Sequence, residues 1–154
     1  MSKDSLGLLT RAYLFLSAVW IALPILVAQN LLGMHLNLWL DFSHYSSTLK
    51  AFSSFPTLDI HVAVGILILS IASFRVWWSY WPENRPFRPA SILILVFAIV
   101  AFLSGVMFTF YGHDDIYSFT MEFGFGGLIF SAAILIYTSF KLLAMKGQGP
   151  LAKH

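Results

Sequence analysis

The chain contains no cysteine among its 154 residues, and it contains few charged residues of either sign. The absence of cysteine excludes covalent c-type haem attachment, iron–sulfur clusters held by thiolates, and thiolate metal sites. Charged residues make up 10% of the chain, whereas soluble proteins contain about 25%. The sequence also lacks a P-loop, a nucleophile elbow, a zinc-protease helix and a dinucleotide fingerprint. It therefore favours a non-catalytic or electron-transfer protein over a conventional enzyme, and enzymatic activity stays open.

Hydrophobic residues make up 58% of the chain, whose mean hydropathy is +0.79. A bilayer core needs about 20 apolar residues per helix, and four runs reach that length: residues 8–32, 60–81, 90–110 and 116–143. Backbone groups in lipid must be hydrogen-bonded within their own segment, and continuous apolar runs favour helices over alternating barrel strands. We predict an all-α fold, an integral membrane up-down-up-down four-helix bundle that forms a single membrane domain over residues 1–154.

Lysine and arginine are distributed unevenly between the two sides of such a bundle. Eight of the nine lie in the termini, in the loop between the second and third runs, or at the adjoining run ends, and only Lys50 lies in the other two loops. Positive residues are retained on the cytoplasmic side, so we predict a multi-pass protein of the cytoplasmic (cell) membrane with cytoplasmic N- and C-termini. This bias explains the pI near 9.0. The predicted partner is the lipid bilayer, and no nucleic acid is predicted.

The connection between the first and second runs, residues 33–59, is the longest loop. Its leucines, Trp39 and Phe42 are too apolar for a freely solvated segment, so we predict an interfacial loop on the outer side. The short connections at residues 82–89 and 111–117 instead predict antiparallel neighbouring helices.

Four of the five histidines map to the outer end of the predicted bundle, and most of the acidic residues accompany them. Imidazoles and carboxylates ligate haem iron, copper or zinc, and they also relay protons. The candidates, by predicted role, are the cofactor ligands His61 and His113, the metal ligands His35, His44 and Asp114, and a polar relay of Glu122 and Asp59. The alternative is that membrane-boundary segments simply tolerate polar residues.

His61 is the strongest single candidate because it begins the second run, with Gly65 one turn below it on the same face. A flat ring can lie over Gly65. A second axial ligand has to come from another segment, and His113 lies at a comparable depth. Arg75, near the inner end of the same run, is most simply interpreted as an arginine that extends toward the membrane surface.

The fourth run carries an ionisable residue and several small residues. Glu122 lies about two turns into this run, where a charge is costly unless it faces a partner or a cavity, although a carboxylate near the outer end can also reach the headgroups. Gly127 and Ser131 form a small-xxx-small pair that lets another helix or a flat cofactor approach closely, and helix packing is the more common cause. The 15 Phe, 5 Trp and 6 Tyr can line a quinone site but are more commonly packing and interfacial residues.

The segment His61-Val-Ala-Val-Gly65 through Arg75-Val-Trp77-Trp78, followed by a proline-containing turn, resembles the haem-binding second helix of four-helix b-type cytochromes and of haem A synthase. In those families this histidine is an axial haem ligand. The resemblance implies that His61 ligates haem b, that Gly65 makes space for the porphyrin, and that Arg75 marks the inner end. It covers residues 61–78. The first run contains no histidine, and Met121-Glu122-Phe123 stands near where those families place another ligand.

Three functions are consistent with these features. The first is a small membrane subunit of a respiratory electron-transfer complex, a b-type cytochrome with haem near the outer face. The second is a cofactor-free accessory subunit whose partners are the other membrane subunits of a larger complex. The third is a membrane metal-binding protein that uses the outer histidines and aspartates. No sequence feature separates the first from the second.

Overall fold

The computed structural model describes residues 7, 23–33, 56–111 and 115–147, which are helical apart from one turn. The helices are α1 (Leu23–Gly33), α2 (Pro56–Ser79), α3 (Arg88–Tyr111) and α4 (Asp115–Gly147), and a 3₁₀ helix (Pro82–Phe87) joins α2 to α3. The predicted all-α fold is confirmed for these residues. Three stretches are long and apolar enough to cross a membrane, namely Pro56–Ser79, Pro82–Phe110 and Asp115–Leu142. Most of the first predicted run and of the long loop lies outside the described residues.

Helices α2 and α4 extend beyond the apolar runs that predicted them. Helix α2 begins at Pro56, four residues before the apolar run, because proline is well tolerated in the first turn of a helix. Asp59 lies in the same turn, where the helix dipole favours an acidic side chain. The predicted interfacial loop is therefore helical over its last four residues.

Helices α3 and α4 pack against each other over several turns. Ala101 lies against Gly124 and Phe97 lies against Gly127, so the residue number falls on α3 as it rises on α4. The two helices therefore run antiparallel. The rings of Phe97 and Phe123 add an edge-to-face contact with centroids 5.9 Å apart.

Small residues dominate the interface between α3 and α4. The buried positions are Phe87, Ala90, Ser91, Ile94, Ala98 and Ser104 on the α3 side, and Gly124, Leu128, Ser131, Ala132, Leu135 and Ser139 on α4. Small side chains allow close packing of helices that gain little from hydrophobic burial in lipid. The serine hydroxyls bond within their own helix, as Ser131 Oγ does to the Gly127 carbonyl at 2.7 Å. Such bonds satisfy the hydroxyls without a second helix.

The turn between α2 and α3 is closed by side chains that bond backbone carbonyls near the end of α2. Asn84 Nδ2 donates to the Trp78 carbonyl at 3.1 Å, and Arg88 donates to the carbonyls of Ser79 and Tyr80 at 3.4 and 3.3 Å. The Arg88 guanidinium also lies over the Tyr80 ring, 4.5 Å from its centroid. Because a helix end leaves carbonyls without intrahelical partners, these bonds stabilise this end of the bundle.

Candidate functional site

A cavity of about 210 Å³ lies between the four helices, in the half of the bundle opposite the α2–α3 turn. Its walls are mostly apolar, and they include four phenylalanines, Phe102, Phe108, Phe110 and Phe125. The residues with polar side chains that line it are Gln29, Asn30, His61, Thr109, Ser118 and Glu122. An apolar cleft with a few convergent polar groups is the usual form of a small-molecule site.

Gln29 and His61 join α1 to α2 at the wall of this cavity. Gln29 Nε2 donates to the His61 backbone carbonyl at 2.9 Å and lies 3.4 Å from His61 Nε2. The first bond sets the orientation of the carboxamide, since only its nitrogen can donate to a carbonyl oxygen. A second N–H donated to Nε2 requires that ring nitrogen to be unprotonated, which places the ring proton of a neutral His61 on Nδ1.

Two buried polar atoms at this contact lack a hydrogen-bond partner among the residues that the structure describes. They are Gln29 Oε1 and His61 Nδ1. A buried polar atom without a hydrogen bond lowers the stability of the fold by about 1–3 kcal/mol. Such atoms are rare in native proteins. The Gln29–His61 contact is therefore a place where an additional hydrogen-bonding group would be stabilising, provided that the two side chains turn to expose these atoms.

Two glycines lie beside this contact, and one of them, Gly33, allows the close approach of α1 and α2. A Cβ atom at Gly33 would lie 3.0 Å from His61 Cε1, closer than ordinary van der Waals contact. A Cβ at Gly65 would lie 3.5 Å from Gln29 Nε2 and 4.0 Å from Phe102 Cδ2, which is ordinary contact. The space over Gly65 is therefore bordered by Gln29 and Phe102.

The structure brings three of the predicted site residues together at the cavity, namely His61, Gly65 and Glu122. Glu122 lies at the edge, where it is exposed. Asp59 is exposed in the first turn of α2 and is not part of the cavity wall. The other predicted site residues lie outside the described residues: His35, His44, His113 and Asp114. Within the described ranges, no three His, Asp or Glu side chains converge to hold a metal ion.

A haem with His61 as its ligand does not fit the cavity as the helices stand. A cavity of about 150 Å³ already binds benzene, so 210 Å³ accommodates one substituted ring but not the four joined rings of a porphyrin. Gln29 also lies against Gly65, where the resemblance places the porphyrin. Haem binding at His61 stays a prediction, and it requires the helices to separate.

Gln29 and Met121 are among the cavity residues that the sequence did not identify as site residues. Gln29 could have been identified from the sequence, because an amide inside an apolar run is itself a candidate for a buried polar contact. Met121 belongs to the segment that stands near a further ligand position of the resembled families, but its own residue type gives no sign of a site, since methionine is common in apolar helices. In the structure it lines the cavity, and its Sδ lies 3.6 Å from the position of a Cβ on Gly105.

Arg75 lies inside the bundle, with 7% of its surface exposed. It lines a second cavity of about 50 Å³, whose walls are otherwise aliphatic and include Leu26, Ile94 and Leu128 from the other helices. The sequence interpretation placed Arg75 at the membrane surface. In the structure it is instead buried among the helices.

Comparisons with known proteins provide no relative, because no protein-family model, curated protein or solved structure matches the chain. The cavity beside His61 is the feature of the bundle that bears most directly on function.

Proposed function

We propose that this chain is a small multi-pass subunit of a respiratory electron-transfer complex, and that it holds a redox-active ligand in the cavity beside His61. The observation that supports this proposal is the cavity itself, which combines apolar walls with an imidazole and a carboxylate. Redox reactions of organic ligands exchange protons, and imidazole and carboxylate are the side chains best suited to that exchange. Helices suited to a membrane give such a cavity access to lipid-soluble ligands.

The proposed arrangement is a four-span up-down-up-down bundle in the cytoplasmic membrane. The antiparallel packing of α3 on α4 supports it. Trp77, Tyr80 and Trp81 are each more than half exposed beside the α2–α3 turn, as expected of an interfacial aromatic belt. Arg85 and Arg88 in the same region favour the cytoplasmic side. In this orientation both termini are cytoplasmic and the cavity lies in the outer half of the membrane.

Single cysteines can test this orientation without background labelling, because the chain has no cysteine of its own. Arg85 in the turn and Asp115 at the start of α4 are both exposed. In intact cells, a membrane-impermeant maleimide should label Asp115→Cys and should label Arg85→Cys only after permeabilisation. The unsubstituted chain is the control. Labelling of Arg85→Cys alone in intact cells would contradict the orientation, and labelling of both would contradict a membrane-crossing α3.

Membership of a respiratory complex can be tested in the organism that encodes the chain. A tagged chain extracted in mild detergent should co-purify with subunits that carry redox cofactors. Deleting the gene should slow substrate-driven respiration, and a His61→Leu chain should restore assembly without restoring the rate. A chain that purifies alone, together with unchanged respiration after its deletion, would contradict the proposal.

A cofactor-free accessory subunit is the second candidate function. The observation that favours it is the contact of Gln29 and Gly33 with His61, which gives the imidazole a role in packing α1 on α2. In that case His61→Leu should lower the stability of the complex while the electron-transfer rate per assembled complex stays unchanged. The same complementation experiment therefore separates the two functions.

A further inference from the structure

We infer that the cavity beside His61 binds the head group of a lipid-soluble quinone or quinol. The inference rests on the proposed function and names the class of its redox-active ligand. Three features of the cavity support it: its volume, the placement of its polar groups, and its extension to the surface of the bundle.

The volume of the cavity selects a ligand with one ring. Benzene binds in a cavity of about 150 Å³, and larger ligands occupy sites of about 300–1,000 Å³. The 210 Å³ here lies between these limits and matches a six-membered ring with small substituents. The phenylalanines of the wall provide faces and edges against which a flat ring packs favourably.

The polar groups of the cavity come from different helices. His61 belongs to α2 and Glu122 to α4, and both line the cavity. A para-quinone carries two oxygens at opposite ends of its ring, so one ligand can form hydrogen bonds with residues of both helices. When Gln29 turns away from His61 Nε2, which it contacts at 3.4 Å, that nitrogen can carry the ring proton and donate it to a quinone carbonyl. The Glu122 carboxylate accepts a hydrogen bond from a quinol hydroxyl. Gln29 Oε1 is buried without a partner in the described part of the chain, and the same turn of the side chain makes it a second acceptor beside His61.

The cavity also reaches the surface of the bundle. Phe110 and Glu122 both line it and are both exposed, Phe110 to 61%. In a membrane, this edge of the cavity faces lipid. A ligand with a polar ring and a long apolar tail can place the ring inside and leave the tail in the bilayer, as a membrane quinone requires.

A binding measurement on the purified full-length chain tests the assignment. The chain in detergent is titrated by calorimetry with a benzoquinone that carries a decyl tail, and saturable binding at one site is expected. Val106→Phe introduces a ring into the cavity wall and should weaken binding by about tenfold or more. The matched control is Val96→Phe, the same change on the same helix at a position that is 47% exposed and outside the cavity wall. Its affinity should stay within about twofold of the unsubstituted chain.

Two further variants keep the test valid if Val106→Phe does not fold. His61→Leu and Glu122→Leu remove the polar groups singly, and each should weaken decyl-benzoquinone binding by about tenfold in protein whose melting temperature shows that it is folded. Decyl alcohol, which has the tail but no ring, should not displace the quinone. Displacement by decyl alcohol at equal concentration, or equal losses in Val96→Phe and Val106→Phe, would overturn the assignment.

The outcomes distinguish this inference from the proposed function. A reduced-minus-oxidised spectrum with a haem Soret band that disappears in His61→Leu would overturn the quinone assignment and leave the electron-transfer proposal intact. Absence of decyl-benzoquinone binding by the intact purified complex would also overturn the quinone assignment, and it would also leave the electron-transfer proposal intact. Quinone binding at this cavity by a chain that associates with no redox subunit would support the ligand and contradict membership of a complex.

Discussion

Replacing Phe87 by alanine is expected to destabilise the folded chain by about 3–5 kcal/mol. Phe87 ends the 3₁₀ helix, is 0% exposed, and belongs to the buried cluster that contains Ala90 and Leu135. Truncation removes the contacts of the whole ring and leaves a void at the junction of the turn with α3 and α4. Reversible unfolding in mixed micelles with a rising fraction of denaturing detergent, followed by circular dichroism, measures the change.

Phe130→Ala is the matched control for this prediction. It removes the same ring from α4, where Phe130 is 63% exposed. A surface truncation that leaves no void should change the free energy of unfolding by less than about 0.5 kcal/mol. Equal losses in the two variants would show that Phe87 does not lie in the packed core of the bundle.

Much of the helical architecture could be predicted because bilayer thickness constrains the length of an apolar run. The runs at 60–81, 90–110 and 116–143 correspond to α2, α3 and α4, with end differences of a few residues. The ends differ because helices continue through residues that tolerate helical geometry at the polar boundary. Pro56 begins α2 ahead of its apolar run for this reason.

The face that each helix buries could not be predicted in the same way. A soluble helix reveals its buried face by alternation of apolar and polar residues, but in these runs both faces are largely uncharged, and only the greater share of small residues distinguishes the packed face. Leu128 and Ile129 are adjacent aliphatic residues of one apolar run, yet Leu128 is 4% exposed and Ile129 is 43% exposed. Arg75 was assigned to the membrane surface because nothing in the run shows which direction leads into the bundle.

The candidate site could be predicted only in part for a related reason. His61 and Glu122 stand out because a polar group in an apolar run needs an explanation. The contact of Gln29 with His61 joins residues 32 positions apart, and it depends on the register between two helices, which neither residue encodes locally. The volume that decides between one ring and a porphyrin is likewise a property of the packed helices.

Replacing Gly124 by alanine is expected to destabilise the bundle by about 1–3 kcal/mol. A Cβ atom at this position would lie 2.8 Å from the Ala101 backbone nitrogen and 2.9 Å from the Ala101 Cβ. Because one of these atoms is backbone, a rotamer change cannot relieve the contact, and α3 and α4 must move apart. Unfolding in mixed micelles measures the loss, and decyl-benzoquinone binding should weaken with it because both helices form the cavity wall.

Gly126→Ala provides the control, since a Cβ there meets nothing within 4 Å. It should be neutral or stabilising by up to about 1 kcal/mol, because alanine favours the helix more than glycine does. Adding Ala101→Gly to Gly124→Ala should recover only part of the loss, since it removes the contact with the Cβ but leaves the contact with the backbone nitrogen. Gly127→Ala differs, because its Cβ would overlap the Phe97 ring, and Phe97→Ala should relieve that overlap. Equal stability of Gly124→Ala and Gly126→Ala would mean that α3 and α4 are not in close contact at Gly124. The proposed shape of the cavity, which depends on that contact, would then be wrong.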